Sequence, residues 1–140
     1  MPTTPIFIDT GYVYALINSR DQWHEKAMEW RRNISAEKSV LLTTEFILAE
    51  IADGLAAVSF RQAAVQTIRV LANNPFVQII PTTSELFQAG LALYESRSDK
   101  DWGLTDCISF VVITEHNLTD VLTTDDHFRQ AGFRALLLEP

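Results

Sequence analysis

The chain has 140 residues, 47% of them hydrophobic and 21% charged, a balance that suits one globular domain over residues 1–140 and excludes a disordered acidic tail. A chain near this size buries roughly 68 to 70% of its unfolded surface, enough for a core without staples. The formal net charge of −7 argues against broad electrostatic attraction to nucleic acid, so a nucleic-acid substrate would have to be gripped locally. Cys107 is the only cysteine; it can form no internal disulfide and fits a reducing cytoplasm. The opening MPTTPIFID carries neither a basic leader nor a long apolar core, and no run approaches the ~18 apolar residues of a membrane span.

Taken in chain order, Ile6 to Asp9 reads as a short buried parallel strand, central in a sheet, followed by a helix over Gly11 to Asn18. Asp21 is placed to cap a second helix carrying Trp23, Ala27 and Trp30, in which His24 has a capping or packing role rather than a metal role, since no second histidine stands a turn away. Ser35 to Ser39 is a polar link to a second strand, Val40 to Thr43. The helix from Thr44 to Ala57 offers Phe46, Ile47, Ile51 and Leu55 to a core and sets Glu50 on the same side, where it reads as a partly exposed helix former with its stem along apolar neighbours. Ser59 with Gln62, and Thr82 with Glu85, have capping-box spacing ahead of two further helices, with a strand over Val77 to Ile80 between them. A polar SRSDKD loop leads into Leu104 to His116, with Thr105 as its cap. That segment is read as a helix, because the better strand, Asp120 to Thr124, needs a helical crossover before it. A short helix or turn over Phe128 to Gly132 and a last strand over Ala135 to Leu138 complete an α/β pattern with four or five parallel strands.

Asp9 and Asp125 each follow a strand, and strand C-terminal ends are where open α/β sheets gather their chemistry. Asp106 lies in the first turn of an otherwise apolar segment. A first-turn acid can simply satisfy the helix dipole, for up to ~1 kcal/mol, but with Asp9, Glu50 and Asp125 it can instead converge on one pocket. Two unit charges ~4 Å apart repel by about 4 kcal/mol at an effective dielectric of ~20, so such a pocket calls for protons or a cation. With oxygen donors alone, Mg²⁺ or Mn²⁺ is favoured over zinc, and a hard ion left open to water and phosphate oxygens suits phosphodiester hydrolysis. Arg20, Lys26, Arg31 and Arg32, with Arg97 and Lys100, either form a basic rim around this centre or a solvated face.

The stretches IFIDTGYVYAL, TTEFILAEI, DKDWGLTDCISF and TTDDHFRQAGF resemble, in order and context, the four acidic motifs of PIN-domain ribonucleases of the VapC toxin type, over essentially the whole chain. The resemblance implies an α/β/α sandwich around a parallel sheet, with Asp9, Glu50, Asp106 and Asp125 as the acidic quartet. It implies that Asp9, Asp106 and Asp125 hold Mg²⁺ (or Mn²⁺) while Glu50 orients or deprotonates the attacking water, so that RNA is cut to 3′-hydroxyl and 5′-phosphate ends. Thr10, Asp101 and Ser109 are supporting positions; each is equally a local cap or, for Asp101, an exposed loop acid. In the last motif Asp125 rather than its neighbour Asp126 takes the acidic place, and Gly103 stands where such proteins commonly have serine. The toxin resemblance further implies a small antitoxin partner inserting a basic side chain, and, with the apolar helices, a homodimer. The alternatives are a catalytically idle PIN-like module for RNA binding or assembly, and an aspartyl phosphatase at Asp9. The phosphatase usually wants a second acid where Gly11 stands. A dinucleotide site is disfavoured because no G-x-G-x-x-G follows the first strand.

Overall fold

A computed structural model describes residues 4–140; Met1, Pro2 and Thr3, at the start of the segment expected to carry no leader, lie outside the described residues. Five strands form one all-parallel sheet: β1 (Ile6–Ile8), β2 (Leu41–Thr44), β3 (Val77–Ile80), β4 (Asp120–Leu122) and β5 (Arg134–Ala135), in the order β3-β2-β1-β4-β5. Register pairs Phe7 with Leu42 on one side and with Val121 on the other. β1 is therefore central, as its apolar run suggests, and Phe7, Ile8, Leu42 and Leu122 are almost wholly buried.

Parallel pairing requires long crossovers, and helices supply them. They are α1 (Thr10–Ile17), α2 (His24–Glu37), α3 (Glu45–Gly54), α4 (Val58–Asn73), α5 (Ser84–Ser96), α6 (Leu104–Glu115) and α7 (Asp126–Gln130), and with the sheet they make an α/β/α fold. α1 packs on α2 and α3, α3 on α4, and α5 on α6. The last pair approaches closely because Gly90 has no side chain; a Cβ there would lie 2.3 Å from Ile108 Cγ1. Trp102, Phe110 and Phe128 interlock edge to face at 5.0 Å between centroids, joining the start of α6 to α7. No helix among the described residues is long and apolar enough to cross a membrane.

Several caps differ from the sequence expectation. Asp21 binds the Trp23 amide in a turn before α2, which begins at His24, and that helix continues through the expected polar link to Glu37, where Lys38 turns left-handed. His24 packs as expected, its Nδ1 2.7 Å from the Ala15 carbonyl. Ser59 lies inside α4, whose N-cap is Ala57. Thr83, not Thr82, caps α5, its Oγ1 accepting from the Leu86 amide at 3.1 Å, while the Thr82 amide donates to Glu45 Oε1 at 2.6 Å. Gly103 rather than Thr105 precedes α6. The last strand is only Arg134–Ala135; Leu136–Leu138 then tightens into a 3₁₀ turn that buries Leu136 and Leu137.

Where this topology places its chemistry follows from strand order. From β1 the chain builds outward through β2 and β3, then returns to lay β4 on the opposite side of β1. A crevice opens at such a reversal, beyond the strand C-terminal ends. Asp9 follows β1 there and Asp125 follows β4.

Candidate active site

A cavity of about 490 Å³ occupies that crevice and is lined by Asp9, Glu50, Asp106 and Asp125 together with Thr10, Gly11, Tyr14, Gly103, Thr124 and His127. The four expected acids thus come from four elements into one space. No lysine or arginine lines it among the described residues.

Asp9 is the N-cap of α1 in extended conformation, yet its side chain caps nothing. Instead Oδ2 accepts a hydrogen bond from Thr123 Oγ1 at 2.7 Å, and the residue is 5% exposed. Burial pushes its carboxyl up to about 7; the Thr123 hydroxyl and the Thr10 amide pull the other way, and the charges of Asp106 and Glu50 add to the rise. Gly11 lets α1 begin against β4's end, since a Cβ there would stand 2.4 Å from Thr124 Oγ1.

Glu50 projects from α3, and Thr10 Oγ1 donates to its Oε1. Tyr14 donates to the Glu50 carbonyl at 2.8 Å, so α1 grips both ends of this residue. Partial burial raises the Glu50 carboxyl, the Thr10 bond opposes this, and the charges of Asp106 and Asp125 reinforce it. The helix-face argument that made Glu50 an ordinary partly exposed residue had the face right; the Thr10 hydroxyl and the other acids turn that face into a cavity wall.

Asp106 sits at the third position of α6 and reaches back to the Gly103 amide at 3.2 Å. The same Oδ2 lies 3.0 Å from His127 Nδ1. Burial raises the Asp106 carboxyl, against the His127 hydrogen bond, and the Asp125 charge adds to it. Asp125 caps α7, its Oδ1 accepting from the His127 amide at 2.9 Å while its own amide donates to Thr123 Oγ1 at 3.0 Å. Thr123 therefore orients two acids at once. Asp126, by contrast, faces outward to Arg129 and Gln130 and does not line the cavity.

Of the supporting positions, Thr10 lines the cavity. Asp101 is exposed outside it, and Ser109 is wholly buried, with no hydrogen-bond partner for its hydroxyl among the described residues and no place in the lining. Arg20, Lys26, Arg31, Arg32, Arg97 and Lys100 do not line the cavity, and Arg97 is held by Asp99 at 2.9 Å and stacked on Trp102.

His127 is the site residue the sequence reading did not single out. Its spacing two residues after Asp125 was visible, but its meeting with Asp106 depends on how α6 and α7 dock. Burial opposes protonation of its ring, and the Asp106 hydrogen bond with the charges of Asp125, Asp106 and Asp101 outweighs it, leaving the imidazole pKa raised. One ligand atom from each of Asp106, Asp125 and His127 falls within 4.8 Å of the others. A pocket of four carboxylates with no lysine or arginine in its lining among the described residues has the donor set of a hard divalent ion, and equally invites a guanidinium or ammonium group.

Comparison with known proteins agrees with this architecture. The chain resembles VapC20 of Mycobacterium tuberculosis, a sarcin-ricin loop cleaving toxin, at TM-score 0.80 and 24% identity, over 92% of this chain and 96% of that one. FitAcB from Neisseria gonorrhoeae matches at TM-score 0.64 and 17% identity over 93% and 95% of the two chains. VapBC2 from Rickettsia felis, solved with a DNA fragment from its promoter, matches at 0.62 and 14% over 90% and 92%. Comparison with curated protein sequences gives no significant match. The family model described as the PIN domain matches residues 6–134, and the chain is a member of the PIN-domain family.

Proposed function

We propose that this protein is a metal-dependent endoribonuclease and the toxin of a type II toxin-antitoxin pair. One observation carries the reading: four carboxylates from separate elements share an open cavity with no lysine or arginine in its wall. Similarity to a toxin that cleaves the sarcin-ricin loop supports RNA as the substrate class.

Asp9, Asp106 and Asp125 would hold Mg²⁺ or Mn²⁺. When bound, such an ion supplies a polarised water and positive charge for the oxyanion that develops at phosphorus. Glu50 is suited to accept the water's proton, because partial burial and its acidic neighbours raise its carboxyl above the ordinary range. Thr10 keeps that carboxyl directed at the cavity through Oε1. Hydrolysis in line at phosphorus then leaves 3′-hydroxyl and 5′-phosphate ends. The same negative cavity would take an arginine or lysine from a small antitoxin, which blocks the acids while neutralising them.

Purified protein incubated with cellular RNA and Mg²⁺ or Mn²⁺ is the test, with EDTA and Asp9→Asn as controls. Cleavage should fall at least ~100-fold in either control, the scale expected when several kcal/mol of charge stabilisation are removed. Full cleavage in Asp9→Asn, or in excess EDTA, would overturn the proposal; no cleavage by wild type under any divalent ion would favour an idle RNA-binding module.

A further inference from the structure

Each acid of the cavity is oriented through one oxygen by a protein donor: Thr123 for Asp9, Thr10 for Glu50, the His127 amide for Asp125. Asp106 differs in that its orienting side chain is a histidine from another helix. His127 Nδ1 lies 3.0 Å from Asp106 Oδ2 and 3.4 Å from Asp125 Oδ1, between two carboxylate oxygens brought by α6 and α7. Ionised carboxylates only accept, so the proton belongs on Nδ1. Among the described residues the other oxygen of Asp106 has no hydrogen-bond partner, and neither does His127 Nε2.

The ordinary account of His127 is a first-turn helix residue making a surface ion pair, which would be worth little. Its side chain is 28% exposed and that of Asp106 17%, and the contact spans 21 positions of sequence rather than one helix turn. The pair is part of the cavity wall.

We infer that His127 is a positioning residue, whose Nδ1–H clamps Asp106 Oδ2 beside Asp125 and so leaves the remaining Asp106 oxygen free to hold a metal. The inference rests on the reading of the cavity as a divalent-ion site. One N–H set between two like-charged oxygens offsets their repulsion, and it joins the Gly103 amide, which donates to the same Oδ2, in fixing the Asp106 rotamer. His127 acts from outside the coordination sphere, with Nδ1 engaged by the acids.

Three variants separate this role from its competitors. Asparagine can place an amide N–H where Nδ1 stands, glutamine can place one only near Nε2, and alanine supplies neither. Mn²⁺ affinity, read from the free-ion electron paramagnetic resonance signal, should stay within about threefold of wild type in His127→Asn and weaken about 10- to 100-fold in His127→Gln and His127→Ala, the range seen for partners that orient metal ligands. Metal-dependent RNA cleavage should follow the same order. Electron spin echo spectra of the Mn²⁺-loaded wild type should lack the modulation of a directly bound nitrogen. Wild-type affinity in His127→Ala, retention in glutamine but not asparagine, or a directly bound nitrogen would each overturn the inference. A wild type that binds Mn²⁺ yet cleaves no RNA would instead overturn the proposed function and leave this role standing, and a wild type that binds no Mn²⁺ would overturn both.

Discussion

At the residue scale the site depends on hydroxyls as much as on acids. Thr123 donates to Asp9 and accepts from the Asp125 amide, so one buried side chain sets two carboxylates. Thr123→Val keeps the shape and removes both bonds; metal-dependent cleavage should fall about 10- to 100-fold, with Thr123→Ser near wild type, since outer partners of metal ligands carry that much. Equal activity in valine and serine variants would show the acids to be self-oriented. Glu50→Gln addresses the proposed proton acceptor: the single-turnover rate should drop about 10²- to 10⁴-fold while Mn²⁺ affinity changes little, as befits general-base loss. Loss of affinity alone would make Glu50 a ligand instead. The sequence reading reached Asp9, Asp106 and Asp125 because each stands in a recognisable local pattern, an Asp after a strand or in a first turn; Glu50, in the middle of α3, was reached only through the family resemblance. The reach of Thr123 back to Asp9 and of His127 across to Asp106 joins residues 114 and 21 positions apart, and no local pattern records such contacts.

At the scale of elements, the types follow from periodicity, and the boundaries follow from competition for hydrogen-bond partners. β1 through β4 and most helices between them were legible because short apolar runs alternate with amphipathic stretches, whereas α6 was read as helix because the parallel strand after it needs a crossover. The caps were not: the Thr82 amide makes a tertiary bond to Glu45 in place of the expected capping-box bond to Glu85, and the hydroxyl that accepts from the Leu86 amide is that of Thr83. The final strand failed for a related reason: Leu136 and Leu137 reach the core from a 3₁₀ turn, which an apolar run alone cannot reveal. The tightest junction between elements is α5 on α6 at Gly90. There Gly90→Ala meets not only the Ile108 side chain but its Cα at 3.1 Å. It should destabilise the fold by about 1 to 3 kcal/mol, measured by denaturant unfolding, the usual range for overpacking. Cleavage per folded molecule should be unchanged, because Gly90 does not line the cavity.

At the scale of the whole molecule, the acidic cavity ties stability to pH and, on the proposed function, to metal. In the metal-free protein the Asp9 carboxyl, at about 7, lies above its ordinary 3.8, and the Glu50, Asp106 and His127 pKa values are also raised. Between those limits the folded chain holds a proton on Asp9 that the unfolded chain has released. Asp9's stabilising contribution is therefore fully present below ~4 and lost as pH rises through ~7, and the other three groups act in the same direction. Asp99 and Glu139, held low by Arg97 and Arg134, act oppositely and lose their contribution only as pH falls below the ordinary carboxylate range. The metal-free melting temperature should thus decline from pH 5 to pH 8. Asp9→Asn, which keeps an acceptor for Thr123 and removes the charge, should flatten the decline; an unchanged slope would place its origin elsewhere. Mn²⁺ at 100 times its dissociation constant should stabilise by about 2.7 kcal/mol, and reaching that level should take less Mn²⁺ at pH 8 than at pH 5, where protons compete.

The convergence of the acids on a cation is the claim beneath all of these expectations, and anomalous X-ray scattering from crystals soaked in Mn²⁺ addresses it without recourse to any substrate. A manganese peak among the carboxylates of Asp9, Asp106 and Asp125, absent from Asp9→Asn crystals soaked alike, is the expected result. An empty cavity at saturating Mn²⁺, or a peak bound only by exposed acids such as Asp126, would contradict it.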